Sequence, residues 1–240
     1  MKKLIIAIFM MAAGSAAMAS GNVHLDKANI DLTDKTSLQR GAKWFVNYCQ
    51  GCHSLQYQRY NRMADDIGLT YAEVKENMMF GDGKIVGHMT TSLDKEAATN
   101  WFGTPPPDLS VITRARGVDW IYTYLRSFYI DKSRPFGVNN TVFADVGMPN
   151  VLWELQGMQK AKFEGEGGHK AFEGFEQVKP GKMSTEEFDG AMRDLTNFLS
   201  YVGEPVQVER KRLGVYVLLF LAVFTFLAYL MKKEYWKDVH

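Results

Sequence analysis

Five consecutive residues, Cys49-Gln50-Gly51-Cys52-His53, could carry chemistry that no other part of this chain could. The spacing C-x-x-C-H is the attachment signature of a c-type haem. Two cysteines on one helical turn reach the two vinyl groups of one porphyrin and form thioethers. The histidine directly after them then sits under the iron as proximal ligand. The chain has 2 cysteines in all, both in this motif. Two other chemistries use such a pair. A redox dithiol usually comes with a βαβ pattern, and none surrounds residue 49. A structural zinc needs four ligands. There is no second cysteine pair, and His24, His88, His169 and His240 are scattered.

An iron held by His53 on one side needs a second donor, or it stays open for ligand chemistry. Met148, in Val146-Gly147-Met148-Pro149, is one candidate. Glycine lets the backbone approach a ring, and proline stiffens the loop behind the sulfur. A thioether ligand stabilises ferrous iron and raises the potential. Met89 competes, and its neighbour His88 would give a bis-histidine site of lower potential. Residue chemistry alone leaves these open. Met63, Met78, Met79, Met158 and Met192 read as gap-filling core residues.

The two ends place the chain relative to a membrane. Residues 1–19 read as a cleaved signal peptide: Lys2 and Lys3, an apolar run from Leu4 to Ala13, then Ala17-Met18-Ala19, with Ser20 starting the mature chain. Leu213 to Met231 holds no charged residue. As a helix it covers about 28 Å at 1.5 Å per residue, close to the roughly 30 Å hydrocarbon core. The sequence therefore divides into residues 1–19, a haem domain over 20–208, a transmembrane helix over 209–232 and a short tail over 233–240. Basic residues flank the apolar run on both sides, so the signal peptide sets the orientation: domain outside, tail in the cytoplasm. The net charge is +1. Lys2 and Lys3 account for two positive charges and residues 209–240 for a net +3, so the outer domain carries about −4. Such a balance is either ordinary solubility charge or a weak steering field for a basic partner.

The motif must be positioned by the elements around it. Residues 37–48 predict a helix leading into Cys49, with Ser37 as its cap, and Gly41 would let another helix come close. Residues 70–79 predict a second helix with a Thr70–Glu73 capping box. Val118 to Tyr129 predicts a third, rich in aromatics. Ser184 and Glu187 form another capping box. Behind it Phe188, Met192, Leu195, Leu199 and Val202 recur at helical spacing as far as Glu204-Pro205. Gly81 to Gly83, Thr104 to Asp108, Pro135 to Asn140 and Glu164 to His169 read as turns or loops. Strand signals are few and short, and 157–183 is assigned no element. The expected fold is mostly α, a class I-like c-type cytochrome domain with long loops plus one C-terminal transmembrane helix.

Three separated segments resemble the cytochrome c1 family, the haem subunits of bc1 complexes. They are Cys49 through Asp65, with Tyr57-Gln58-Arg59-Tyr60-Asn61-Arg62-Met63; Pro106-Pro107-Asp108-Leu109-Ser110 followed by Arg114-Ala115-Arg116; and Gly147-Met148-Pro149 ahead of the anchor. The resemblance implies one covalent haem c on Cys49 and Cys52, with His53 and Met148 as iron ligands. It also implies Arg116 near a haem propionate, Pro106 and Pro107 as a stiff pocket wall, and no residue catalysing a bond-making step. The implied work is transfer of one electron from a Rieske iron–sulfur protein to cytochrome c, inside a ubiquinol–cytochrome c reductase with cytochrome b. That places the chain in a dimeric complex of a bacterial inner membrane, with the haem domain in the periplasm and no nucleic-acid partner. Other classes fit C-x-x-C-H with an anchor: a free-standing anchored cytochrome, a haem enzyme or gas sensor with open iron, and a thiol–disulfide protein.

Overall fold

A computed structural model describes residues 24–164 and 171–238. The signal-peptide expectation for residues 1–19, with His169 and His240, lies outside them. Helices make up roughly half of the described residues, which matches the expected class.

Two helices form the frame. Helix α1 (Lys35–Tyr48) starts two residues earlier than its apolar pattern suggests. Its cap is Asp34, which accepts from the Ser37 N–H, rather than Ser37. Ser37 lies inside the first turn and donates its hydroxyl to Asp194 at 2.7 Å. Asp194 belongs to the long helix Thr185–Gly203 near the C-terminal end of the domain. Its Ser184–Glu187 capping box is formed as expected. Phe188, Met192, Leu195, Leu199 and Val202 are all buried.

The two helices meet at Gly41. A Cβ there would stand 2.1 Å from the Asp194 carbonyl oxygen and 2.6 Å from Phe198 Cβ. Only a bare backbone fits. The contact is closed by Arg40, which donates Nε to Asp194 at 2.6 Å, and by Phe45 against Phe198 with ring centroids 6.0 Å apart. Both rings are fully buried. At about 1.5–3 kcal/mol for each large apolar side chain, that packing outweighs the half-exposed Arg40–Asp194 pair, which belongs to a class worth about 0–1 kcal/mol.

Shorter elements carry the chain between them. Helices α2 (Tyr60–Ile67), α3 (Tyr71–Asn77), α4 (Lys95–Phe102), α5 (Ile112–Arg116), α6 (Val118–Arg126) and α7 (Trp153–Gln156) precede the long helix, which becomes α8. The Thr70–Glu73 box caps α3 as predicted, although the helix stops at Asn77. The third expected helix ends at Arg126, not Tyr129. Phe128–Ile130 is instead strand β3, antiparallel to β4 (Val138–Asn140) in a stretch expected as loop. The aromatics that seemed to extend α6 pair as strand residues, with Phe128 buried. Before them, β1 (Leu55–Arg59) pairs with the two-residue β2 (His88–Met89).

The largest departure is at residues 157–180. Strand β5 (Gly157–Glu164) pairs with β6 (Ala171–Pro180), Phe163 opposite Phe172. Charged residues alternate with Ala161 and Phe163, but most of the hairpin is exposed. With little apolar burial on either face, its period-two signal is weak.

Helix α9 (Gln207–Tyr235) contains the whole expected 209–232 span. It is exposed along its length, and its apolar window has a mean hydropathy of 2.4. The connection from α8 is only residues 204–206. Glu204 accepts from Arg210 and from Gln207 Nε2 at 3.3 Å, and its carboxyl is held down at about 2, chiefly by the Arg210 guanidinium. Arg114 of α5 lies 3.9 Å from the same carboxylate.

Replacing Gly41 with Ala should force α1 and α8 apart, at a cost of about 1–3 kcal/mol for overpacking. Thermal unfolding of the purified full chain would show this as a lower midpoint. An unchanged midpoint would mean that the helices slide freely at this crossing.

Candidate haem site

The C-x-x-C-H turn is built from the end of α1. Cys49 caps that helix, with its N–H on the Phe45 carbonyl at 2.8 Å. The Cys52 and His53 N–H groups both return to the Cys49 carbonyl, at 3.0 and 2.8 Å. This fold-back brings both thiols and the imidazole to one cavity. Cys49 is buried and Cys52 half-buried. Burial pushes the Cys49 thiol up to about 12, with Cys52 adding to the effect. A redox dithiol needs the opposite, a stabilised thiolate. Among the described residues no cluster of three or more His, Cys, Asp or Glu could hold a metal ion, so the zinc alternative has no ligand set there.

His53 is buried, and its Nδ1 lies 2.7 Å from the Pro107 carbonyl oxygen. A carbonyl only accepts, so Nδ1 carries the proton and Nε2 presents a lone pair. Burial lowers the imidazole pKa and favours this neutral form. An orienting hydrogen bond on one ring nitrogen is what a metal-binding histidine requires.

Pro107 is held in place by its neighbours. Asp108 accepts from Gln56 N–H at 2.9 Å and from Ser110 N–H at 2.9 Å. Leu109 N–H reaches the Ser54 carbonyl at 2.9 Å, and Thr91 N–H reaches Ser54 Oγ at 2.9 Å. The Pro-Pro-Asp-Leu-Ser run is thus fastened along the four residues that follow His53. Pro106 and Pro107 do line the cavity, but the Pro107 carbonyl makes the specific contact. Asp108, Ser54 and Thr91 were not among the expected site residues. The only sequence sign of Asp108 was its place in the motif.

The cavity measures about 270 Å³, and its lining is almost wholly apolar. Met148 is the one methionine lining it among the described residues. Its competitor Met89 is fully buried in the core on β2, opposite Leu55, and does not line the cavity. His88 is exposed. Met63, Met78 and Met192 are buried core residues as expected, and Met79 is partly buried against the same core.

The loop bearing Met148 is pinned by Asn139 and Asn140, from the stretch expected as loop, and by Arg134. Asn140 Oδ1 accepts from the Val142 N–H at 2.9 Å, and Asn139 Oδ1 from the Asp145 N–H at 2.9 Å. Asp145 has φ +60°, the left-handed region that non-glycine residues seldom adopt. Arg134 donates to its carbonyl at 2.8 Å.

Arg116 is exposed at the cavity rim, its guanidinium carbon 5.3 Å from the Trp120 ring centroid and 5.8 Å from that of Phe143. Among the described residues it forms no ion pair, whereas Arg114 faces Glu204.

This combination of fold, turn and apolar cavity defines a c-type cytochrome domain attached to a single long apolar helix. The chain belongs to the Cytochrome C1 family, which it matches over residues 26–239. It is 54% identical to the cytochrome c1 of Allochromatium vinosum over 244 residues, 100% of both chains. It is 45% identical to a Nitrosomonas europaea protein called ammonia monooxygenase gamma subunit, over 100% of this chain and 99% of that one. Cytochrome c1 of Rhodospirillum rubrum is 27% identical over 99% of this chain and 97% of its own. A chain of this family is the haem-bearing, electron-transferring subunit of a cytochrome bc1 complex.

Replacing Asp108 with Ala removes the acceptor of two main-chain N–H groups. It should cost about 1–3 kcal/mol and loosen the Pro107 carbonyl over His53. Urea unfolding of the full chain, read at the haem absorbance, would give a lower midpoint. No change would show that Leu109 and Ser54 hold the segment unaided.

Proposed function

We propose that this chain holds one haem c covalently through Cys49 and Cys52. In this reading His53 Nε2 and Met148 Sδ would hold the haem iron. The observation that carries it is that the two thiols, the neutral buried imidazole and a single methionine line one apolar cavity. When bound, the haem supplies a one-electron change between ferric and ferrous iron.

The residues of the chain tune and shield that change. The Pro107 carbonyl fixes the imidazole plane and strengthens its donation. The Met148 thioether favours the ferrous state and raises the potential. His53 and Met148 would hold the iron between them, and the group so held would serve electron transfer. Apolar walls such as Leu195, Leu199 and Val146 keep water away. Arg116, free of a carboxylate partner among the described residues and steadied over Trp120, is placed to pair with a propionate through a charge-assisted hydrogen bond.

The chain passes one electron from a Rieske iron–sulfur protein to cytochrome c, in a dimeric ubiquinol–cytochrome c reductase whose quinol chemistry belongs to cytochrome b. Residues 1–19 direct export and are removed, 20–208 form the periplasmic haem domain, and 209–232 anchor it in the bacterial inner membrane with 233–240 in the cytoplasm. The mildly acidic outer domain suits a basic acceptor.

An alkaline pyridine spectrum of the purified membrane complex tests the assignment. It should show one c haem per chain with b haem co-purifying, and an electron paramagnetic resonance spectrum of the same reduced complex should show a Rieske cluster. A monooxygenase in their place, as the name of the Nitrosomonas relative raises, would overturn the assembly. Separately, Met148→Leu should lower the midpoint potential and abolish the weak far-red ferric band of methionine ligation. Persistence of that band would reassign the ligand.

A further inference from the structure

Tyr124 lies on α6 with its ring fixed on two sides. Trp120 stacks on it at 5.1 Å and 8°, and Phe128 meets it edge-on at 5.2 Å and 69°. Its hydroxyl donates to Met148 Sδ at 3.3 Å, within the range for a sulfur acceptor. Its main-chain carbonyl accepts from Asn140 Nδ2 at 2.9 Å. Asn140 in turn receives the Val142 and Phe143 N–H groups on its Oδ1. One helical residue therefore grips the 140–148 loop at both ends, through the backbone at residue 140 and through the hydroxyl at 148.

A thioether sulfur has two lone pairs. A sulfur that gives one to a metal still has one for a proton donor. A phenol hydrogen bond draws electron density from sulfur and makes it a weaker donor. Ferric iron needs that density more than ferrous iron does, so the bond favours the reduced state. The hydroxyl also lacks any other partner among the described residues. Tyr124 is half-buried and lines the apolar cavity, where an unpaired hydroxyl would be costly.

We propose that Tyr124 is a positioning residue for Met148. Its hydroxyl selects the lone pair that faces the metal, and its hydrogen bond raises the midpoint potential. The inference rests on the reading of Met148 as an axial ligand. The plain alternative is that Tyr124 is only a core aromatic.

The variant Tyr124→Phe separates these, because it keeps both ring contacts and removes one oxygen. In the holoprotein of the full chain, redox titration should give a lower midpoint potential, and the far-red ferric band should shift. Installing 3-fluorotyrosine at position 124, a stronger donor of nearly the same shape, should move the potential upward. A purely structural role would not produce opposite shifts. If both variants keep the parent potential and band while Met148→Leu loses the band, Tyr124 has no such role and the ligand assignment stands. If Met148→Leu keeps the band, the ligand assignment fails and the Tyr124 proposal fails with it.

Discussion

The hydrogen bond between His53 Nδ1 and the Pro107 carbonyl, 2.7 Å long, is the constraint on which the site turns. It joins two segments 54 residues apart and decides three things together. It sets the tautomer, it fixes the plane of the ring, and it gives a buried polar nitrogen a partner. A carbonyl oxygen beside proline suits this work, because the proline ring fixes φ and limits backbone motion. Asp108 and Ser54 then transfer the rigidity of the turn to that carbonyl. The imidazole is not free to rotate because the segment that accepts from it is not free to move.

The domain brings two kinds of stabilisation to one cavity. The α1–α8 crossing at Gly41 is apolar and close, and it delivers Cys49 at the end of a well-anchored helix. The 140–148 loop is held by polar contacts instead: Asn139, Asn140, Arg134 and the Tyr124 hydroxyl. A helix end places an attachment point accurately. A loop with many side-chain hydrogen bonds places a sulfur where no regular element runs. Asp145 at φ +60° shows that the loop shape is imposed by these contacts against local preference.

Much of this was legible in the order of residues. Both capping boxes are set by local chemistry, which does not depend on what packs nearby. The apolar series from Phe188 to Val202 buries just as its period demands, and Gly41 marks the crossing because no other residue fits. What stayed hidden depends on distant partners. Ser37 looked like a cap because nothing local reveals that Asp194 would take its hydroxyl. Phe128 and Tyr129 suit a helix or a strand equally well until Asn139 and Asn140 arrive to pair with them. The hairpin at 157–180 buries little, so it leaves little hydrophobic pattern to read. Residue chemistry did not separate Met148 from Met89, although the family resemblance favoured Met148; the cavity separates them, since one lines it and the other fills the core.

The join between α8 and α9 has a mechanical consequence. Three residues, 204–206, separate the two helices, a span of at most about 10 Å. Arg210 and Gln207 from the anchor and Arg114 from the domain converge on the Glu204 carboxylate. With a connection so short, the orientation of the domain follows that of α9 closely. A tilt of α9 would carry the Cys49–His53 turn with it instead of being absorbed in a linker.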